Sequence, residues 1–193
     1  MSPQRALHGI ALAVAICTSA TSWAAIVPAG TVLHAKQEFV RNNGSEPETL
    51  DPVLAESVGA NQIARDLFEG LTASNTSGKL VPGVAESWKQ TDPTTWVFKL
   101  RKNAAWSNGD PVTADDFVYG WRRYLDPKTA SQYATTFAPF ILNGMDVAKG
   151  TKPGTALGVK ALDKYRLEVK TPSPVAFLPE LMTNTQFAPN HKA

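Results

Sequence analysis

The sequence predicts a mixed fold, α/β or α+β, because helix-periodic and strand-periodic segments are interspersed along its length. Residues 114–125 set Phe117, Val118, Trp121, Tyr124 and Leu125 on one stripe, the spacing of an amphipathic helix. Residues 94–100 and 165–170 alternate apolar and polar side chains instead, as half-buried strands do. Fourteen prolines in 193 residues keep the elements short. No heptad, low-complexity tract or internal repeat organises the chain.

The first 24 residues read as a secretory signal. Arg5 and His8 precede an apolar run over 10–17, and Ser22-Trp23-Ala24 puts small residues at positions −3 and −1 of a cut after Ala24. The run is too short for the roughly 30 Å hydrocarbon core of a bilayer. Cys17 stands where a lipid-acceptor cysteine would, but bulky Ile16 precedes it, so cleavage at Ala24 discards it. The expected mature chain has 169 residues, with 18 basic against 17 acidic side chains and no cysteine. A charge of +1 makes no case for nucleic acid or an anionic membrane as partner. Without a disulfide, packing alone must hold the fold.

Along the mature chain, residues 36–42 read as a strand ended by the turn-forming 43–47, and Leu50-Asp51-Pro52 as a second turn. A helix is expected over 59–69, with Ile63, Ala64, Leu67, Phe68 and Leu71 on its apolar side and Gly70 as its stop. In the strand at 94–100, Trp96, Phe98 and Leu100 face inward. Asn108-Gly109 is a tight turn. Thr113 and Asp116 form a capping-box pair opening the 114–125 helix, and Asp126-Pro127 closes it. A weaker helix is expected over 137–149. A hairpin pairs 159–162 with 165–170 around Asp163-Lys164, with Tyr165, Leu167 and Val169 inward, and 175–182 suits a short helix.

Catalytic equipment is scarce. The histidines, His8, His34 and His191, have no metal-ligand spacing to another ligand type. There is no nucleophile elbow, no thiol after cleavage and no phosphate-cradling glycine loop. Asp115 and Asp116 diverge by about 100° on a helix and read as first-turn acids rather than a carboxylate pair. Asn43-Gly44-Ser45 and Asn75-Thr76-Ser77 fit a glycosylation sequon that is short enough to arise by chance. Trp121-Arg122-Arg123 reads as a solvated helix face more readily than as an anion site. Tyr133 lies outside any strongly periodic element and is open to a ligand.

Taken in order, several long words carry more information than any single motif. They are 41–46 with Thr49-Leu50-Asp51-Pro52, Arg65-Asp66-Leu67-Phe68-Glu69-Gly70-Leu71, 81–88, 96–113, Asp116-Phe117-Val118-Tyr119, 126–131 and 157–161. Together they resemble the periplasmic oligopeptide-binding proteins of bacterial ABC importers, solute-binding protein family 5, which include oligopeptide-permease and murein-peptide binding proteins. The resemblance covers the chain from about Pro28. It implies an α/β fold of the periplasmic-binding-protein type II kind and a non-enzymatic role without cofactor or metal. It also implies a monomer that captures oligopeptides in the periplasm and delivers them to an ABC permease in the inner membrane. In such proteins two lobes close on a peptide gripped through its main chain, like an added strand.

By that resemblance the domains are a signal peptide at 1–24, a first segment of the main lobe at 25–68 and an inserted α/β subdomain at 69–193. The peptide contact falls on Glu56, Ser57 and Val58, with Ser57 where close relatives have glycine, and on Tyr133 of the Thr-Ala-Ser-x-Tyr word. From the residues alone, Glu56 is equally a solvated loop carboxylate. The family is much longer than this chain, so the expectation is an N-terminal fragment whose first strand and helix leave apolar faces exposed. A non-functional fragment and a peptide sensor in cell-wall recycling are the alternatives. No feature supports a secreted hydrolase.

Overall fold

The computed structural model describes residues 29–36 and 38–192, so the expected signal, including Cys17, lies outside the described residues. The chain divides into two units, residues 1–41 and 42–193. In the first, residues 38–41 adopt no regular structure, with Phe39 87% and Val40 93% exposed. The strand expected at 36–42 therefore does not form among the described residues. A lone extended segment gains nothing from its backbone without a neighbouring edge to pair with.

The second unit opens with α1, Val58–Leu67. Ser57 caps it, its Oγ accepting from the Ala60 N–H at 3.0 Å. Ala60 and Ala64 are buried, whereas Leu67 is exposed, so the apolar stripe is narrower than its spacing implied. The helix stops at Leu67, before Gly70. Gly70 serves a different purpose: a Cβ there would lie 2.3 Å from the Met182 carbonyl oxygen. It is a close-approach glycine, letting chain pass chain.

Two short strands, β1 (Thr72–Ser74) and β2 (Leu80–Pro82), form a ribbon. A four-stranded antiparallel sheet follows, built from β3 (Ala85–Asp92), β4 (Thr95–Leu100), β5 (Val159–Asp163) and β6 (Arg166–Lys170) in the order β3-β4-β6-β5. Pairing of Trp96 with Val169 and of Phe98 with Leu167 puts the expected inward residues of β4 and β6 on one face. Tyr165 lies in the hairpin turn rather than in the strand and is only partly buried. β3 is an edge strand that the sequence reading missed. Most of its side chains are exposed, and its register slips at both ends, between Ala85 and Ser87 and between Gln90 and Asp92.

Helix α2, Ala114–Leu125, covers the inner face of the sheet. Its start is the predicted capping box: Asp116 Oδ2 accepts from the Thr113 N–H at 2.7 Å and from the Thr113 hydroxyl at 2.9 Å. All five stripe residues are buried, each large one contributing about 1.5–3 kcal/mol of transfer free energy. Trp121 and Tyr124 meet Phe187 edge-on at centroid distances of 5.1 and 5.9 Å, and Phe137 meets Phe187 at 5.2 Å. The Trp121 indole N–H donates to the Phe187 carbonyl at 2.9 Å.

The single helix expected over 137–149 is instead α3 (Ala134–Phe137), a 3-10 turn at Ala138–Phe140, and α4 (Gly144–Ala148). Pro139 and the left-handed Asn143, at φ 60°, break the run. The last helix, α5, spans Leu178–Leu181. Replacing Gly70 with alanine is expected to destabilise the fold by about 1–3 kcal/mol, because the Met182 backbone has to move; urea unfolding of the variant measures it.

Candidate functional site

The site begins at a turn. The Asp51 carbonyl accepts from the Leu54 and Ala55 N–H groups, both at 3.0 Å, and Asp51 Oδ1 accepts from the Val53 N–H at 3.2 Å. The reversal carries residues 56 and 57 back beside Glu48. Glu48 Oε1 accepts from the Glu56 N–H at 2.6 Å and the Ser57 N–H at 2.9 Å, and the Ser57 hydroxyl donates to Glu48 Oε2 at 2.6 Å. The bond from the Ser57 hydroxyl, then those from the Ser57 and Glu56 N–H groups, lower the Glu48 carboxyl from 4.5 to about 2. The Ser57 hydroxyl thus both caps α1 and ties down Glu48. Its backbone, at φ −74° and ψ 156°, is one that any residue adopts.

Main-chain groups remain available on the side away from Glu48. Val58, the first residue of α1, is 75% exposed, and its N–H finds no acceptor among the described residues. The Glu56 carbonyl accepts only a long bond, 3.4 Å, from the Tyr133 hydroxyl. They flank Ser57, whose backbone is extended, and a carbonyl and an N–H on either side of one extended residue are a pair that an added strand can use.

Tyr133 is placed from beneath. It precedes α3, its carbonyl accepts from the buried Tyr124 hydroxyl at 2.7 Å, and its own ring is 38% exposed. Burial pushes the Tyr124 phenol above the usual range, so it stays a neutral donor. Glu56, Val58 and Tyr133 line one concavity of about 380 Å³ with Asn61, Gln62, Arg65 and Gln186. Ser57 stands behind this wall as the cap rather than in it. Asn61 joins the wall to the aromatic core, its Oδ1 accepting from Thr185 Oγ1 at 3.2 Å and from Gln186 Nε2 at 3.3 Å.

Arg123 departs from the expected solvated face. Its guanidinium grips Asp51 through both terminal nitrogens, Nη1 to Oδ1 at 2.9 Å and Nη2 to Oδ2, and Nη1 also donates to Asn190 Oδ1 at 3.1 Å. Burial raises the Asp51 carboxyl, but the bonds from Arg123 and the Val53 N–H and the charge of Arg123 outweigh it, and the net shift is downward. The bond to Asp51 raises Arg123 further. Sequence reasoning missed Glu48, Asn61 and Arg123. The only local signal was the Leu-Asp-Pro turn, which says that the chain reverses but not what it meets. Among the described residues no group of three or more His, Cys, Asp or Glu could hold a metal ion.

A family model described as bacterial extracellular solute-binding proteins, family 5 middle, matches residues 79–193. The periplasmic oligopeptide-binding protein OppA of Escherichia coli is 47% identical over 191 residues, which are 98% of this chain and 35% of OppA. Among solved structures, OppA of Burkholderia pseudomallei is 49% identical with a TM-score of 0.74, covering 77% of this chain and 29% of that one. The E. coli murein tripeptide binding protein MppA is 44% identical with a TM-score of 0.80, covering 84% and 32%. The chain spans about a third of the length of the curated relatives it matches.

The folded value of Glu48 lies below the ordinary one, so its contribution is complete above about 4.5 and is lost as pH falls towards about 2. Following the Glu48 carboxyl carbon by NMR is expected to give a midpoint near 2. A midpoint near 4.5 would show that the bonds to residues 56 and 57 are not made in solution.

Proposed function

The chain belongs to family 5 of the bacterial extracellular solute-binding proteins, and on that premise we propose that it binds oligopeptides along Glu56, Ser57, Val58 and Tyr133. The observation that carries the reading is the pair of available main-chain groups, the Glu56 carbonyl and the Val58 N–H, beside a tyrosine that reaches the same concavity. A peptide laid there is recognised through its backbone, which every sequence shares, and its side chains fall towards a polar wall of Asn61, Gln62, Arg65 and Gln186. This accounts for capture without strong sequence preference. Glu48 holds the N–H groups of residues 56 and 57 on one side and so leaves the Glu56 carbonyl and the Val58 N–H for the ligand.

Residues 25–68 are the first segment of a main lobe in this reading, and 69–193 an inserted subdomain. The relatives' names, oligopeptide-binding and murein peptide-binding, support this substrate class. Delivery to an ABC permease in the inner membrane follows the family role, which is binding rather than catalysis. Export uses residues 1–24, cut after Ala24, and the mass of the periplasmic form is expected to correspond to a chain beginning at Ala25.

The described residues supply one wall of a cleft, and a peptide gripped on one side loses much of the burial that makes such binding tight. Titration with tri- to pentapeptides is therefore expected to shift the Val58 and Tyr133 amide resonances with a Kd of about 1 mM or weaker. Micromolar binding by calorimetry would overturn the need for a second wall. Unmoved Val58 and Tyr133 resonances would overturn the site itself.

A further inference from the structure

Arg122 and Arg123 are neighbours in sequence, but they point about 100° apart around α2 and meet different fates. Arg123 is consumed by Asp51 and Asn190. The aliphatic stem of Arg122 packs beside Gly154, where even an added Cβ would meet the stem carbons at ordinary contact distances of 3.6–3.9 Å. Its Nε is buried with no hydrogen-bond partner, and none of its other nitrogens finds one among the described residues. A buried donor without an acceptor is costly; the terminal nitrogens are not buried and are the ones that a ligand can reach.

Arg122 lines a concavity of about 660 Å³ between the end of α2, the turn at Pro127–Thr129 and residues 147–154. Every charge facing it can be accounted for. Arg123 is neutralised by Asp51, and Lys152 by Asp146 at 2.8 Å, with a further bond to Asn143 Oδ1 at 2.7 Å. Asp126 is spent in part as a cap, its Oδ1 accepting from the Lys128 N–H at 2.9 Å. Among the described residues, Arg122 and Lys128 line it as cations without a carboxylate partner, against Asp126 as the one lining anion without a cationic partner. Pro127, Val147 and Pro153 give it apolar surface, with Tyr119 and Thr129 as the uncharged polar side chains of the lining. This concavity shares no lining residue with the peptide wall.

We propose that this concavity is a second binding site, for a small organic anion whose carboxylate or phosphate head takes the fork of Arg122 while a short apolar body lies against the prolines. The volume falls within the range of small-molecule sites. A planar oxyanion matches a guanidinium in two parallel bonds, and Lys128 adds a point charge at the rim.

The test is an NMR titration of the 193-residue chain with phenyl phosphate, benzoate and inorganic phosphate. Saturable shifts are expected at Gly150, Gly154 and Arg122 Nε. Phenyl phosphate should bind more tightly than inorganic phosphate if the apolar wall contributes, and the order of phenyl phosphate and benzoate identifies the head group. Arg122→Gln is expected to weaken binding about tenfold or more. Arg122→Lys, which keeps the charge but loses the fork, should lose most of the same affinity in a chain that still folds. Lys160→Gln, on the open face of the sheet, should change nothing. No saturable shift for any probe by about 10 mM, equal binding of phenyl phosphate and inorganic phosphate, or equal binding by both Arg122 variants and the parent chain overturns the proposal. Peptide titrations read a different set of resonances, so neither result decides the other.

Discussion

The ion pair between Arg123 and Asp51 is the constraint from which the candidate site follows. One guanidinium ties the Leu-Asp-Pro turn, the last turn of α2 and Asn190 near the end of the described chain. Asp51 then organises the turn from within, accepting from Val53 through its side chain and from Leu54 and Ala55 through its carbonyl. Val53 and Ala55 are driven into the core by that geometry. Residues 56–58 follow directly, within reach of Tyr133. A partly buried pair with both carboxylate oxygens engaged is worth more than an exposed surface bridge, because its direction is set as well as its strength.

The second wall residue is positioned by packing. Trp121, Tyr124, Phe137 and Phe187 interlock edge to face, and Tyr124 spends its hydroxyl on the Tyr133 carbonyl. Tyr133 therefore projects from a rigid base although its own segment has only one turn of helix. Both halves of the wall refer back to α2, Glu56 through Arg123 and Tyr133 through Tyr124. The helix that is most legible in the sequence is the element that registers the site.

That legibility was uneven, for physical reasons. Helix α2 could be read to its ends because propensity, stripe and capping box agree locally. β4 and the β5–β6 hairpin followed from alternation alone. β3 escaped because an edge strand with most of its side chains in water has no apolar alternation to show. The 137–149 region misled because its apolar residues keep helical spacing while Pro139 and Asn143 break the backbone. At the site, the family words placed Glu56 and Tyr133, and the structure sets them within reach of each other. Glu48 and Arg123 were invisible, since each acts on a residue that only the turn or the tertiary fold brings near. A basic residue in a helix looks the same in sequence whether it faces water or a buried carboxylate.

The edge strand β3 has a consequence for the life of the chain before it folds. From Glu86 to Asp92 its outer edge meets no other strand among the described residues, which makes it a template for pairing with a second molecule. Glu86, Lys89 and Asp92 put charges of both signs along it, Pro93 follows at once, and the slipped register at each end bends the strand away from a flat neighbour. A chain that is still folding exposes such an edge to other copies. An edge so defended lets the sheet close on itself before it can join another copy, and the features that hid β3 from the sequence reading are the ones that keep it solitary.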